Sequence, residues 1–430
     1  MATRLESKTL PYGVGHLTVA WYVVTAFLLA ILALGLYAYS RQLGEGEIVT
    51  GMRDIGTMGG APWGIYIAFV VYFVGVSFAG ITIAGMVRLL NLEHLRPIAR
   101  MAELLTVITL VLGAFSILAD VGQPLRALIN LPRYARPMSP FFGTFTLVIA
   151  GYLFASLVYL YLAGRRDAAI MARQDTRFGW LYRLWAAGYT DTPEERERHR
   201  RTTFWLALGI LPLLLTAHST LGFVFGLQAG RPGWFSALQA PAFVVLAGVS
   251  GTGLMIVIAA ILRRALGATR ELSIGVFRWL SNFLMVLTAA YLYFMVVEWL
   301  VSVYAAPSAE ARVAAAVFRG DYAWIYWLSA VALVASFVIL FVQYAARNHN
   351  LALAVIAGLL VNLAAIGKRY EIVIPPQTHG TLLPYGEGLY RPSWVEYSVI
   401  LGLIALGVLL YMLFMKVFPI IEAPESGEVA

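Results

Sequence analysis

The chain has 430 residues, 60% hydrophobic and only 13% charged, with a formal net charge of +8. Its apolar residues fall in long blocks separated by short arginine-rich stretches, which marks a polytopic membrane protein and excludes an ordinary soluble enzyme. It contains no cysteine, so it holds neither a disulfide nor a cysteine-ligated iron–sulfur cluster. Because the arginines flank apolar spans, the positive charge serves topology and not nucleic acid.

Runs of about 18 or more apolar residues predict ten transmembrane helices. The first, 17–39, is too long for a signal-peptide core and lacks a small-residue cleavage site after it, so it is read as a retained helix. Spans 63–88, 101–119 and 141–163 follow. The connection 164–201 contains "DTPEERERHRR" and is predicted to form a short amphipathic segment with a solvated charged face. Spans 203–227, 240–262, 275–304, 322–345, 350–367 and 395–418 complete the set, the ninth being the shortest.

The second and third spans resemble the sixth and seventh. "VSFAG" (76–80) precedes Arg88 and "VSGTG" (249–253) precedes Arg263, and an acid then closes the following span, Asp120 in one case and Glu298 in the other. The expected fold is therefore an all-α integral membrane protein of two four-helix bundles with peripheral first and last helices. Four is an even number, so the copies would be parallel. The organisation reads as one membrane domain: 17–62 first helix and outer loop, 63–228 first bundle, 240–370 second bundle, 371–394 outer loop, 395–418 last helix. With ten spans both termini share a side. Its loops carry 20 Lys and Arg against 11 opposite, nine of the 20 from 164–201, which places the termini in the cytoplasm.

On this topology the ionisable residues near spans gather in the outer leaflet. Asp120 ends the third span beside "GQPLR" with Arg126. Trp63 and Tyr66 open the second span at the same level. His218 lies in the outer half of the fifth, Glu298 closes the seventh, and Lys368, Arg369 and Tyr370 close the ninth. Each has a plain alternative: a helix-end acid pairs with an interfacial arginine, and Trp63 and Tyr66 fit an interfacial aromatic belt. His218 is the one histidine well inside an apolar run, and a polar ring there needs a partner. A membrane b-type haem takes two such histidines, so no intrinsic haem is expected, and no metal site. A histidine and a carboxylate facing an apolar cleft with aromatic walls suit a lipid-soluble quinone, whose oxygens accept hydrogen bonds and exchange protons.

"GGAPWGIYI", "VSFAGITIAG", "ADVGQPLRALIN", "HSTLGFVFGLQAGRPGW" and "KRYEIVIPPQ", followed by "YRPSWVEYSVILG", together resemble the NrfD-type membrane subunit of polysulfide reductase over roughly residues 60 to 418. The ten-span length is similar to the longer branch of that family, found in the hydrogenase-2 membrane subunit, alternative complex III and sulfur-metabolism complexes. The resemblance implies a haem-free quinone or quinol site on the periplasmic side of a prokaryotic inner membrane. It implies as partner an iron–sulfur subunit leading to a molybdenum catalytic subunit, a hydrogenase or cytochromes c. Carried over by motif, Asp120 and His218 would bind quinone and exchange protons, with Trp63, Tyr66 and Arg126 near the pocket. In some relatives protons are thought to move through the second bundle, which would bring in Glu298, Arg369 and Tyr370. One departure is "SPFFGTF" (139–145), where many members carry tryptophan and aspartate after "SP", so this chain has no acid at the start of the fourth span. Two other classes compete: a secondary transporter, against which the span-end positions of most prolines argue, and a membrane anchor without a quinone site.

Overall fold

A computed structural model of the chain describes residues 13–52, 62–134, 136, 138, 144–173, 178–304, 306–379 and 387–422. The helices run in the order α1 (Val19–Glu45), α2 (Ile65–Leu89), α3 (Arg96–Asp120), α4 (Pro124–Tyr134), α5 (Phe145–Ala172), α6 (Gly179–Ala186), α7 (Pro193–Gly226), α8 (Gln239–Ala265), α9 (Ile274–Tyr304), α10 (Ser308–Phe318), α11 (Ala323–Ala345), α12 (Leu351–Val373), α13 (Pro375–Thr378) and α14 (Trp394–Val417). A short 3-10 turn, Glu47–Val49, follows α1. Ten of these helices are long and apolar enough to cross a membrane, and each coincides with one expected span. The chain is a multi-pass membrane protein. "SPFFG" (139–143) lies outside the described residues.

Two spans differ from expectation at their ends. α7 begins at Pro193, absorbing the polar stretch expected to lie before a span at 203, because Thr192 caps it by accepting from the Glu195 amide at 3.3 Å. α12 runs through Lys368, Arg369 and Glu371 to Val373. A hydropathy scan stops at charges, but a helix continues as long as its backbone ladder and the neighbours of its side chains allow.

Burial sorts the helices. Within their most apolar windows α2 is 83% buried and α1 only 6%, so α2 is central and α1 faces lipid. α2 packs against α3, α7, α8 and α12, and small residues set the closeness of those contacts. A Cβ on Gly80 would collide with the Ala102 carbonyl oxygen of α3, and one on Gly251 would stand 2.5 Å from the Val76 carbonyl oxygen. The two similar motifs of the sequence thus meet each other where α8 crosses α2. At the periphery α1 pairs with α14 through Gly35, whose Cβ would lie 2.8 Å from the Ser398 carbonyl oxygen.

Candidate functional site

The Asp120 end of α3 carries a buried polar cluster drawn from four segments. Gln42, near the end of α1 and 3% exposed, is its hub. Its amide nitrogen donates to the Ala119 carbonyl oxygen at 2.8 Å and to Glu47 at 3.1 Å, and its amide oxygen accepts from the Tyr66 hydroxyl at 2.8 Å. Glu47 lies against the turn after Asp120, since a Cβ on Gly122 would be 3.2 Å from its carboxylate. Asp120, Glu47 and Glu396 all act electrostatically on the Tyr66 hydroxyl. The lone buried glutamine on an otherwise lipid-facing helix thereby joins the Tyr66 phenol to the Glu47 carboxylate and to the last turn of α3. Hydrogen bonding is what makes burial of these groups tolerable.

Beside this cluster stands an aromatic wall. The Trp63 ring stacks on Trp234 at 5.7 Å and meets Phe225 edge-on at 6.0 Å, and Phe225 in turn packs on Phe243 at 5.6 Å. Gln377 holds the Trp63 backbone from both sides: it accepts from the Trp63 amide at 3.3 Å and donates to the Trp63 carbonyl at 3.0 Å. The Trp234 indole donates to the Ile372 carbonyl oxygen at 2.6 Å, which ties the wall to α12. Glu396, fully buried at the start of α14, accepts from the Tyr390 hydroxyl and from the amides of Gly51 and Ser393, both at 2.7 Å. Tyr390 accepts from the Ile65 amide at 2.8 Å, so the entry to α2 is fixed from α14.

His218 lies deeper. Its Nε2 meets the Val74 carbonyl oxygen at 2.7 Å and its Nδ1 the Leu214 carbonyl oxygen at 2.9 Å, with Phe78 and Tyr152 edge-on around the ring. A neutral imidazole carries one N–H, so one of these contacts becomes a hydrogen bond only when the ring takes a second proton. Val74 is eight residues into α2 from Tyr66, about 12 Å along the axis. The structure thus brings Asp120, Tyr66 and Trp63 to one end and sets His218 two turns below them. On the other flank of α2 at that depth is Arg369, 1% exposed. Its guanidinium lies over the Phe243 ring at 4.2 Å and donates to the Phe243 carbonyl oxygen at 3.3 Å, while its Nε and Nη1 have no hydrogen-bond partner among the described residues. A Cβ on Gly75 would sit 3.6 Å from its Nη2.

The remaining expected residues lie apart. Arg126 is exposed on α4 and reaches Gln123 at 3.4 Å. Glu298, half exposed, faces Lys368 at 3.6 Å, and Lys368 is held at 2.7 Å by Glu371. The Tyr370 hydroxyl donates to the Tyr390 carbonyl oxygen at 3.2 Å. Sequence reading did not single out Gln42, Glu47, Glu396, Gln377 and Trp234; Gln42 carried a local signal as an amide at the end of an apolar run, Glu396 as the acid of a Ser393 capping box, and Trp234 and Gln377 lie within the family-like motifs.

Residues 54–379 match the family of polysulphide reductase, NrfD, and the chain belongs to that family. Relatives extend over nearly its whole length. It is 29% identical, over 97% of this chain and 94% of the relative, to a protein named as a dimethyl sulfoxide reductase membrane subunit in Halobacterium salinarum. It is 24% identical to a selenate reductase subunit of Mesobacillus selenatarsenatis, over 94% of this chain and 95% of the other. It is also 24% identical to the Hdr-like menaquinol oxidoreductase integral membrane subunit of Archaeoglobus fulgidus, over 96% of each.

Proposed function

We propose that the chain is the quinone-reactive membrane subunit of a multisubunit respiratory oxidoreductase in a prokaryotic inner membrane, with both termini cytoplasmic and the Asp120 end outward. In this reading 63–228 and 240–370 are two parallel-related four-helix bundles, and the first holds the quinone site. The observation that carries the proposal is the meeting, at one end of the helices, of the Trp63, Trp234 and Phe225 wall with the Tyr66, Gln42, Glu47 and Asp120 cluster. A planar ring bearing polar oxygens needs that combination of apolar faces and few polar groups.

A bound quinol supplies two electrons and two protons. The chain has no cysteine and so no thiolate-held cluster of its own, which is why the electrons are assigned to an iron–sulfur partner and through it to a molybdenum subunit, a hydrogenase or cytochromes c. Asp120 accepts a proton at its carboxylate and Tyr66 positions the ligand oxygen through its tie to Gln42. Trp63 supplies an apolar face. His218 stores a proton two turns deeper, where protonation adds a hydrogen bond to a carbonyl already in place. Arg126 stands at the rim, and Glu298, Arg369 and Tyr370 belong to a proton route in the second bundle.

The test is Asp120→Asn in the purified complex, which keeps shape and removes the charge. Quinone-linked turnover should fall by about 10² or more while dye-linked activity of the partner subunits and assembly persist. Unchanged turnover in an assembled complex would refute the role of Asp120.

A further inference from the structure

At the opposite end of the bundle from Asp120, a cavity of about 450 Å³ opens between the ends of α2 and α3, α5 and the first turns of α7. Arg88, Arg96, Arg100, Arg166, Arg196 and Arg200 line it, against four carboxylates. Two of those acids are engaged along the walls: Asp167 by Arg100 at 2.5 Å and Glu197 by Arg200 at 2.9 Å. Behind the lining, Glu103 pairs with Arg88 at 3.1 Å, and Asp191 with Arg196 at 3.3 Å and Arg166 at 3.6 Å.

The segment after α14 enters this cavity. Glu422 lies 3.1 Å from Arg88 and 3.9 Å from Arg96, and Arg100 donates to the Pro419 carbonyl oxygen at 3.1 Å. Burial pushes the Glu422 carboxyl up, yet Arg88, Arg100 and Arg96 outweigh burial and hold it below the usual carboxylate range. Around Glu422 the guanidinium groups of Arg88, Arg96 and Arg100 therefore dominate. Arg100 is 1% exposed, and its Nε has no hydrogen-bond partner among the described residues. Phe204 at the rim and its neighbour Trp205 are exposed, as are Trp180 and Leu184 of α6, which packs on α5. Exposed tryptophans gather at the membrane–water boundary, and Trp180 and Trp205 beside the arginine-rich ends of α2, α3 and α7 fit a cavity at headgroup depth.

We propose that this cavity is a binding site for a phosphate group, carried by an anionic phospholipid or by a soluble phosphate. Guanidinium forks match phosphate oxygens in pairs, and basic pockets between spanning helices hold lipid headgroups in this way. Glu422 competes for the same guanidinium groups. The proposal is independent of the quinone reading.

The test uses the purified full-length chain with its partners, in nanodiscs of phosphatidylglycerol and phosphatidylcholine in equal parts, with retained lipid counted by native mass spectrometry. A parallel arm follows the melting temperature with inorganic phosphate against chloride at matched ionic strength. Preferential retention of phosphatidylglycerol is expected, weakened about fivefold per arginine in Arg96→Gln and Arg196→Gln and strengthened in Glu422→Gln. Both arginines are partly exposed, so these variants fold. Retention without a phosphate response assigns the site to lipid, and a phosphate response without lipid preference assigns it to soluble phosphate. Equal retention of the two lipids with no response to phosphate overturns the proposal, as does an Arg96→Gln, Arg196→Gln protein that binds as tightly as wild type.

Discussion

Replacing His218 by glutamine separates two roles the geometry allows. The ring ties α7 to α2 through the Val74 carbonyl oxygen at 2.7 Å, and a glutamine amide can donate to the same acceptor. That carbonyl also accepts from the Ser77 hydroxyl at 2.6 Å, so even a lost contact leaves it satisfied. Polar contacts between membrane helices average about 0.6 kcal/mol, so the variant should assemble with a melting temperature close to wild type. A proton-exchanging group is worth far more: its removal should slow quinol-linked turnover about 10²- to 10⁴-fold, or about 3 to 5 kcal/mol of barrier. The assay is steady-state quinol oxidation or quinone reduction by the purified complex, beside thermal melts and subunit stoichiometry on the same samples. An assembled His218→Gln complex turning over at the wild-type rate would reduce His218 to a strut between helices and refute the proton role.

Tyr66→Phe strips the buried Gln42 oxygen of its donor and should destabilise the protein by about 1–3 kcal/mol, read from thermal melts, and slow quinol-linked turnover. Glu396→Ala leaves the Tyr390 hydroxyl and two backbone amides without their acceptor; a stability loss of at least about 3 kcal/mol is expected, and a melt unchanged from wild type would contradict the bracing role. The pH dependence follows from His379 in the loop after α13. Burial, partly offset by Glu387, holds its ring below the ordinary 6.5, so the unfolded chain binds this proton first as pH falls. His379 therefore lets stability decline as pH drops below 6.5 towards the folded value. His379→Gln should flatten that part of the melting-temperature profile, and a difference curve of zero slope would exclude the effect.

The ten spans were legible because lipid demands apolar residues all round a helix, and that demand leaves a mark in composition. Asp120, Trp63 and Tyr66 were legible as polar or aromatic residues at span ends, and the structure does set them at one end of the helices. What escaped was the chemistry that joins them. Gln42 to Tyr66 spans 24 residues, Trp63 to Gln377 314, and Gly51 to Glu396 345; no local pattern encodes such pairings. Arg126 was grouped with Asp120 by its position in the chain, but α4 carries it out to the surface. The charged stretch before the fifth span read as a solvated face. Part of it instead lines a cavity, because the C-terminal segment folds back to meet it.

The pairing of α1 with α14 has a consequence for how the protein is made. α1, which precedes the other nine described spans in the chain, supplies Gln42 and leads into Glu47, yet among membrane spans its principal neighbour is α14, which follows all of them. Gly51, just after α1, is likewise held by Glu396 at the start of α14. Until α14 has inserted, α1 has no Gly402 backbone to close against and the entry to α2 lacks its Tyr390–Glu396 brace. The clasp therefore acts as a completion check. A chain that has not yet inserted α14 holds the preceding spans in lipid without a finished pocket, and the Asp120 end takes its final form once α14 is in place.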